Sequence, residues 1–371
     1  MKLIIEALSL NYNKYFGYQE YLFNLLKYIM KHRNEVMVDK IIILCKDCDI
    51  SAFEQYQPVF ELRHFEVKNS LDRYILLNTL GEKINLCSND IILFTNNYSS
   101  FRKYCRHILV IHDLLYLRKE YAPNLFFRLQ RFLFVPRSVK IADRVIGISK
   151  WVKNDIVTSF NKDSSKVIAI YNNFDFSKFE SGIVSAEIIR LCENNNYFLV
   201  VCASAAHKNT ITTLLAFEKY KQLGGRNSLI VLGKFSDEQK TIVAKMARHV
   251  QNDIHNISNI SNADLGYLYK NAFAYISATL FEGLGMPIVE AMYFGLPCIV
   301  SDLPVIREVT DNLAIYFNPL DINQLVHCMF ATKYDANQSD IQKKTMQIKY
   351  SGINTIGKYI ALINEIADDK K

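Results

Sequence analysis

Residues 278–302, which read ATLFEGLGMPIVEAMYFGLPCIVSD, constrain the fold of this chain more than any other stretch. Gly283 and Gly285 make a loop whose backbone can approach a ligand closely. Pro287 suits the first helical position, where a missing N–H costs nothing, and Gly295 suits a left-handed cap at the helix end. An apolar run then follows, as in a buried strand. The stretch therefore predicts a loop, a helix, a turn and a strand.

Two acidic side chains flank the start of this predicted helix. Its unpaired N–H groups and the positive end of its dipole face back over the glycine loop, which makes a site for a phosphate. Glu282 stands in the loop, and Glu290 lies one turn into the helix. Because carboxylates accept strong hydrogen bonds from vicinal hydroxyls, the pair fits a ligand with a diphosphate between two sugar rings. Either glutamate taken singly is explained equally well by its interaction with the helix dipole.

The motif FEGLGMPIVEAM at 281–292, followed by GLP at 295–297, resembles the Glu-x7-Glu signature of the retaining glycosyltransferases of family four. The similarity extends upstream to AHKN at 206–209 and IHDL at 111–114, and it covers nearly the whole chain. The resemblance implies an α/β chain with the GT-B fold, in which two Rossmann-like doubly wound domains face a central cleft.

The length and the strand pattern also indicate two domains. A chain of 371 residues exceeds what one hydrophobic core usually spans. Apolar strands recur at 41–44, 91–94, 108–111 and 144–148, with helical periodicity between several of them, as in a doubly wound parallel sheet. The predicted parts are an N-terminal acceptor-binding domain at 1–172, a linker at 173–196, a C-terminal nucleotide-sugar-binding domain at 197–350 and a helix crossing back to the first domain at 351–371.

His112 and Asp113 directly follow one of the predicted strands. Ligands of open α/β sheets bind off the carboxyl ends of strands, which makes this dipeptide a candidate for ligand contact. A helix-capping Asp beside a structural His explains the two residues as well. The resemblance assigns His112 to the catalytic residues, as a contact to the transferred sugar, and Asp113 to the substrate-binding residues.

Lys208 lies at a predicted turn from strand to helix, where its ammonium can neutralise a diphosphate. A merely solvated lysine is disfavoured there because a cation is poorly placed near a helix start. His207 stands where the family commonly has Arg, and Gly17, which opens the first helix, precedes Gln19 and Glu20 where a second Gly and an Arg are frequent. His207 and Gly17 are predicted to bind substrate, but these departures keep open a degenerate, non-catalytic nucleotide-sugar binder.

The resemblance implies a role for each residue of the central motif. Glu282 and Lys208 are catalytic together with His112, and Glu282 holds hydroxyls of the sugar. Glu290 holds the ribose diol. The diphosphate is taken by Lys208 and by the backbone of the loop, which comprises Gly283, Leu284, Gly285 and Met286.

The implied reaction moves a hexose, with retained anomeric configuration, from a nucleoside-diphosphate sugar to a saccharide or lipid-linked saccharide acceptor. Bacterial surface polysaccharide biosynthesis, of O-antigen or capsule, is the expected setting, and GDP-mannose is the first of several candidate donors. A sugar-nucleotide epimerase of the same fold is an open alternative. No Asp-x-Asp motif is flanked as a metal clamp requires, so we expect neither a metal nor another cofactor.

The segment 126–140, FFRLQRFLFVPRSVK, interleaves aromatic and basic residues. It fits an anionic membrane surface, and it fits a core helix with a solvated face equally well. The net charge of +7 suits an acidic ligand or such a membrane, whereas no nucleic-acid-binding module is recognisable. No apolar run is long enough to cross a bilayer, and Glu6 interrupts the start too early for a signal peptide. The expected location is the cytoplasm, with a peripheral position on the inner face of the cytoplasmic membrane left open.

Overall fold

The computed structural model describes residues 1–10, 17–121, 124–193, 196–201 and 204–368. These divide into two compact units, Met1–Phe174 with Tyr350–Lys371, and Asp175–Lys349. Residues 11–16, a polar and aromatic stretch of the sequence before Gly17, lie outside the described residues. Within the described ranges, no helix has both the length and the apolar composition that crossing a bilayer requires.

The first unit is built on a parallel sheet. Its elements up to residue 174 are, in chain order, β1 (Lys2–Glu6), α1 (Gly17–Lys31), β2 (Lys40–Lys46), β3 (Glu61–Phe65), α2 (Ser70–Lys83), β4 (Ile91–Phe94), β5 (Arg106–Ile111), α3 (Leu125–Ile141), β6 (Arg144–Gly147), α4 (Lys150–Phe160) and β7 (Val167–Ala169). The strand order is β3-β2-β1-β4-β5-β6-β7. Successive strands are therefore added toward one edge of the sheet up to β3 and toward the other edge from β4 onward. The reversal lies between β1 and β4, and ligands of such sheets bind at this point. The inner strands are apolar runs buried on both faces, as a parallel sheet requires.

The second unit repeats this plan. Its elements are, in chain order, α5 (Ala186–Glu193), β8 (Tyr197–Val201), α6 (Thr210–Gln222), β9 (Ser228–Leu232), α7 (Asp237–Lys245), α8 (Arg248–Asn252), β10 (Ile254–Ile257), α9 (Asn262–Asn271), β11 (Ala274–Ser277), α10 (Met286–Tyr293), β12 (Cys298–Ser301), α11 (Pro304–Val309), β13 (Ile315–Phe317), α12 (Ile322–Ala331) and α13 (Ala336–Lys349). The strand order is β10-β9-β8-β11-β12-β13, which reverses between β8 and β11.

The last helix, α14 (Ile356–Asp368), belongs to the first unit and lies on α1. The Tyr21 hydroxyl donates to the Tyr359 hydroxyl at 3.0 Å. Gly352 packs so tightly against the Tyr28 ring that a Cβ there would lie 2.2 Å from a ring carbon. These contacts fix the end of the chain on the first unit.

The segment 173–196, predicted as a linker, has structure of its own. From Asp175 onward it groups with the second unit, and it contains the short 3-10 turn Phe176–Phe179 as well as α5. Phe179 is buried, and its ring lies 6.0 Å from that of Tyr269. From Asp175 onward the segment is therefore packed within the second unit.

The central stretch folds as its sequence predicts, with a shift of one residue. Helix α10 begins at Met286, so Pro287 occupies its second position and not its first. Gly285 has φ +86° and Gly295 has φ +74°, in the left-handed region that favours glycine. A Cβ on Gly295 would lie 2.0 Å from Ser339 Oγ, so the cap also has no room for a side chain.

Candidate functional site

Two of the predicted catalytic residues meet where the strand order of the second sheet reverses. Lys208 follows β8, and Glu282 follows β11. The Lys208 ammonium donates to Glu282 Oε1 at 2.7 Å, with both side chains largely buried. A cavity lies beside them and is lined by Val200, Val201, Lys208, Thr213, Tyr275, Ile276, Ser277, Ala278, Glu282, Pro287 and Ile288. Open α/β sheets bind their ligands at this point, so the pair is placed to meet one.

Backbone contacts fasten the loop that carries Glu282 to the turn that carries Lys208. The carbonyl of His207 accepts from Leu280 N at 2.7 Å and from Thr279 Oγ1 at 3.0 Å. Asn209, at φ +52°, donates from its side chain to the carbonyl of Ala278 at 3.0 Å. The predicted substrate-binding residue His207 thus holds the loop through its main chain.

The glycine loop and the start of α10 follow directly. Gly283 and Leu284 are buried, and the left-handed Gly285 lets its carbonyl accept from Ile288 N at 3.0 Å. Met286 then begins the helix. The first backbone N–H groups of a helix attract an anion. At the start of α10 Pro287 has no N–H and Ile288 N is bonded to Gly285, which leaves the N–H of Met286 as the candidate donor.

Glu290 belongs to a second cluster in the same unit. Its side chain is 6% exposed, and Oε1 accepts from the Lys178 ammonium at 2.7 Å. Oε2 accepts from the Tyr269 hydroxyl at 3.0 Å. Burial, and secondarily the Glu290 charge, raises the pKa of Tyr269 well above its usual value, so this hydroxyl remains a donor. The carboxylate is thereby held in one orientation.

The sequence did not identify Lys178 as a site residue. It lies in the 3-10 turn Phe176–Phe179, within the segment predicted as a linker, where a lysine in a polar stretch carries no motif. Its ammonium also lies 4.6 Å from the centre of the Phe179 ring. Along the sequence, Lys178 lies between the two predicted domains. That position alone does not predict a contact with Glu290.

In the first unit, His112 follows β5 and is held by hydrogen bonds. Its Nε2 lies 2.8 Å from the carbonyl oxygen of Thr95, and the rings of Tyr18 and Tyr21 meet it edge-on at 5.6 and 5.0 Å. Because a carbonyl only accepts, Nε2 carries the proton. Burial lowers the pKa of His112, so the ring is neutral near pH 7 and Nδ1 is its acceptor nitrogen.

The other predicted residues of the first unit have local roles. Asp113 Oδ1 accepts from Leu115 N at 2.9 Å, so the carboxylate caps the turn that follows. Gly17 begins α1, and the neighbouring Tyr18 hydroxyl lies 2.7 Å from Thr95 Oγ1. Thr95 therefore links the start of α1 to His112.

A metal centre is not evident in the part of the chain that the structure describes. There, no three or more His, Cys, Asp or Glu side chains gather as metal ligands do.

Comparison with known sequences gives matches in the second unit and beyond. Residues 185–327 match the family model described as "Glycosyl transferases group 1". The chain is 33% identical over 216 residues to the O-antigen chain mannosyltransferase RfbU of Salmonella typhimurium, covering 57% of each protein. It is 27% identical over 245 residues to the serotype-specific mannosyltransferase WbdA of Escherichia coli, covering 62% of this chain and 30% of that one. The matched part is thus little more than half of the first relative and under a third of the second.

Solved structures resemble the chain over nearly its full length. Anabaena HepE, solved in complex with UDP, has a TM-score of 0.70 at 16% identity and covers 98% of this chain and 100% of that one. Sucrose-phosphate synthase from Thermosynechococcus elongatus has a TM-score of 0.76 at 12% identity and covers 98% of both. At such identities the likeness shows the fold alone. The predicted fold class is confirmed as GT-B, and the match at 185–327 supports a glycosyl transferases group 1 domain within it.

Proposed function

We propose that this protein is a glycosyltransferase that moves a hexose from a nucleoside-diphosphate sugar to a saccharide acceptor in O-antigen biosynthesis. The observation that carries the proposal is the Lys208–Glu282 pair at the reversal point of the second sheet, beside the glycine loop and the start of α10. The relatives named above, an O-antigen chain mannosyltransferase and a serotype-specific mannosyltransferase, support a mannosyl donor, with GDP-mannose as the first candidate. Retention of the anomeric configuration and independence of metal are parts of the same proposal.

In this reaction the bond between the anomeric carbon and the diphosphate oxygen breaks, the oxygen of an acceptor hydroxyl forms the new bond to that carbon, and the proton of the hydroxyl passes to the departing diphosphate. Negative charge develops on the departing diphosphate. Lys208 and the backbone N–H groups of the loop from Gly283 to Met286 stabilise that charge, and preorganised donors of this kind usually supply the largest share of catalysis. Glu282 binds sugar hydroxyls, and its contact with Lys208 aligns the two groups before substrate arrives.

Glu290 receives the ribose diol in this scheme. A carboxylate can accept about four hydrogen bonds, and Lys178 and Tyr269 fix the plane in which Glu290 offers them. His112 contributes the acceptor nitrogen Nδ1 from the first unit, as a contact to the transferred sugar. A neutral imidazole suits this role because an acceptor nitrogen is available only on the unprotonated ring.

The test uses purified protein with GDP, UDP and dTDP sugars, screened first by thermal shift and then for transfer. Glu282→Gln and Lys208→Met are each expected to lower the transfer rate by about 100-fold or more, as loss of a positioned charge-stabilising group does. Lys240→Met is the matched control, because Lys240 pairs with Asp237 at an exposed surface. An undiminished rate in either site variant contradicts the proposal. Turnover of donor without an acceptor would instead indicate an epimerase.

We also infer a peripheral contact with an anionic membrane through α3. The exposed residues among its first nine are all apolar, with Phe126 76% exposed, and are Leu125, Phe126, Leu129, Phe132 and Leu133. Beyond them Arg137 and Lys140 are exposed. The spacing of the apolar residues places them along one side of the helix, whereas Val135 and Val139 are buried. A solvated face would carry polar side chains, so this arrangement favours the membrane interpretation over a core helix with a solvated surface.

A further inference from the structure

Asn209 begins helix α6 without capping it in the usual way. Its backbone is left-handed, at φ +52° and ψ +37°. An asparagine at this position normally has an extended backbone, and its side chain accepts from N–H groups in the first turn of the helix. Asn69 and Asn124 accept in this way at the starts of α2 and α3. Among the described residues, the Asn209 side chain accepts from no N–H group of α6. It therefore serves something other than its own helix.

The Asn209 side chain joins the loops after β11 and β13 to its own turn. Nδ2 donates to the carbonyl of Ala278 at 3.0 Å and to that of Pro319 at 2.9 Å. Ala278 lies in the loop after β11, and Pro319 lies between β13 and α12. Because carbonyls only accept, the amide nitrogen must face them, and Oδ1 accepts from the Thr212 hydroxyl at 2.9 Å. Each hydrogen of the amide thus holds one loop.

Two of the segments joined by this side chain, those after β8 and β11, carry the Lys208–Glu282 pair. Asn209 directly follows Lys208, and Ala278 stands four residues before Glu282. The stretch between Ala278 and Glu282 is held a second time by the carbonyl of His207, on the same turn as Lys208. Loops without such contacts are more mobile than the strands they follow. The two halves of the ion pair therefore come from loops that one side chain ties together.

The left-handed backbone is a separate reason for an asparagine here, because asparagine and glycine tolerate this conformation better than other residues do. Asn161 has nearly the same conformation, at φ +48° and ψ +40°, and is exposed at the end of α4. Two replacements separate the reasons at position 209. Asn209→Gly keeps the conformation and removes the amide. Asn209→Asp keeps the size and turns an acceptor oxygen toward the two carbonyls, which repel it.

We propose that Asn209 is a positioning residue for transfer, which holds the Lys208 ammonium and the Glu282 carboxylate at the separation that the donor meets. The proposal rests on the transferase function and adds to it a residue that acts only through this pair. Asn209 itself contacts neither substrate in this scheme. Its loss is expected to matter because misplacing a group of the site by about 1 Å can slow a reaction by about 100-fold.

The first measurement needs no ligand. Urea unfolding of Lys208→Met, Glu282→Gln and the double variant gives the coupling between the two side chains. It is measured in the unaltered protein and again with Asn209→Asp or Asn209→Gly. We expect the coupling to fall to about half or less in both, because the ion pair loses its fixed separation. Asn161→Asp and Asn161→Gly are the matched controls and should leave it unchanged.

An unchanged coupling in both Asn209 variants overturns the proposal, since the pair is then held without this side chain. A lower coupling in Asn209→Asp alone overturns it as well, because the added negative charge then explains the effect. If Asn209→Asp does not fold, Asn209→Gly decides the question.

The second measurement is GDP affinity, by calorimetric titration of the full chain. Asn209→Gly is expected to weaken GDP binding by about fivefold or more. It should have no further effect in Lys208→Met, because the ammonium to be positioned is gone. Independent losses that multiply would show that Asn209 acts on the fold and not through Lys208, which contradicts the proposal.

In a transfer assay, Asn209→Gly should lower kcat by about tenfold or more and leave KM for the acceptor within about twofold. A variant that lowers only the free energy of unfolding, at unchanged kcat, overturns the proposal. Failure of the transferase proposal is distinct. The unaltered protein would then transfer no sugar, while the coupling of Lys208 with Glu282 would still depend on Asn209.

Discussion

The Lys178 ammonium donates to Glu290 Oε1 at 2.7 Å across 112 residues of sequence. The lysine comes from the segment that precedes the second sheet, and the glutamate is the last acidic residue of the central motif. Both side chains are largely buried, at 13% and 6% exposed. A buried pair of this kind ties the start of the second unit to the helix that follows the glycine loop.

Removing the lysine leaves a buried carboxylate without its cation. We expect Lys178→Met to lower the free energy of unfolding by about 3 kcal/mol, whereas the double variant Lys178→Met/Glu290→Gln loses less than the sum of the single changes. Lys240→Met, which breaks an exposed pair with Asp237, should change it by about 0.5 kcal/mol or less. Urea unfolding followed by circular dichroism measures all of these. Equal effects of Lys178→Met and Lys240→Met would show that the buried pair does not stabilise the unit.

Gly285 and Gly224 form a matched pair for testing the glycine loop. Their φ angles are +86° and +87°. A Cβ on Gly285 would lie 3.2 Å from Ile288 Cδ1, whereas a Cβ on Gly224 meets no described atom within 4 Å. Replacement by alanine should therefore cost about 1 kcal/mol of backbone strain at either position.

Only Gly285→Ala is expected to weaken nucleotide binding, because its loop must approach the ligand closely. Calorimetric titration with GDP and UDP measures this, and urea unfolding separates it from lost stability. A Gly285→Ala variant that binds nucleotide as tightly as Gly224→Ala would remove the loop from the binding site.

The inner strands were predictable because both of their faces are buried. Strands such as β1, β4 and β5 are continuous apolar runs, which is the pattern a parallel sheet imposes. The edge strands β3 and β10 were not predicted, since ELRHF and IHNI are only partly buried and carry polar side chains. An edge strand is formed by pairing with its neighbour, and its own composition need not show it.

The same distinction holds for the site. Glu282, Gly285 and Glu290 could be proposed as site residues from the sequence, because loop, helix start and carboxylates follow one another there. Lys178 was not proposed as a site residue, because its partner Glu290 comes from a distant element of the fold. A motif reports residues that act together along the chain, whereas a lysine or arginine brought in by tertiary packing has no local pattern.

His107 makes stability depend on pH. It is fully buried in β5, and burial lowers its pKa to about 4, although the Asp143 charge opposes this. In the unfolded chain a histidine has a pKa of about 6.5. Between pH 4 and pH 6.5, roughly, the unfolded state therefore binds more protons than the folded state. Stability should therefore fall as the pH drops from about 6.5 to about 4, by about 3 kcal/mol from this residue.

The replacement His107→Phe removes that dependence, whatever it does to stability at neutral pH. Urea midpoints measured across this pH range should fall less steeply in His107→Phe than in the unaltered protein. His327→Phe, at an exposed position, should leave the slope as it is. Identical slopes in all three proteins would show that His107 is not the group responsible.

The apolar face of α3 predicts binding to anionic vesicles. Phe126→Ser/Leu129→Ser/Leu133→Ser removes three side chains that are 76%, 60% and 62% exposed, so it should cost the fold little. At a membrane each of these groups contributes by leaving water, and neighbouring basic residues add attraction to lipid phosphates. We expect the variant to cosediment with phosphatidylglycerol vesicles at least about tenfold less than the unaltered protein.

The control, Ile183→Ser/Leu223→Ser/Leu320→Ser, removes three apolar side chains of the second unit that are 93%, 61% and 76% exposed. It should bind vesicles as the unaltered protein does, because binding depends on a continuous face and not on scattered apolar residues. Higher salt should weaken the unaltered protein's binding, since the basic part of the attraction is screened. If the control loses as much binding as the α3 variant, contact with the vesicle is general hydrophobic adsorption and α3 is not a membrane-binding helix.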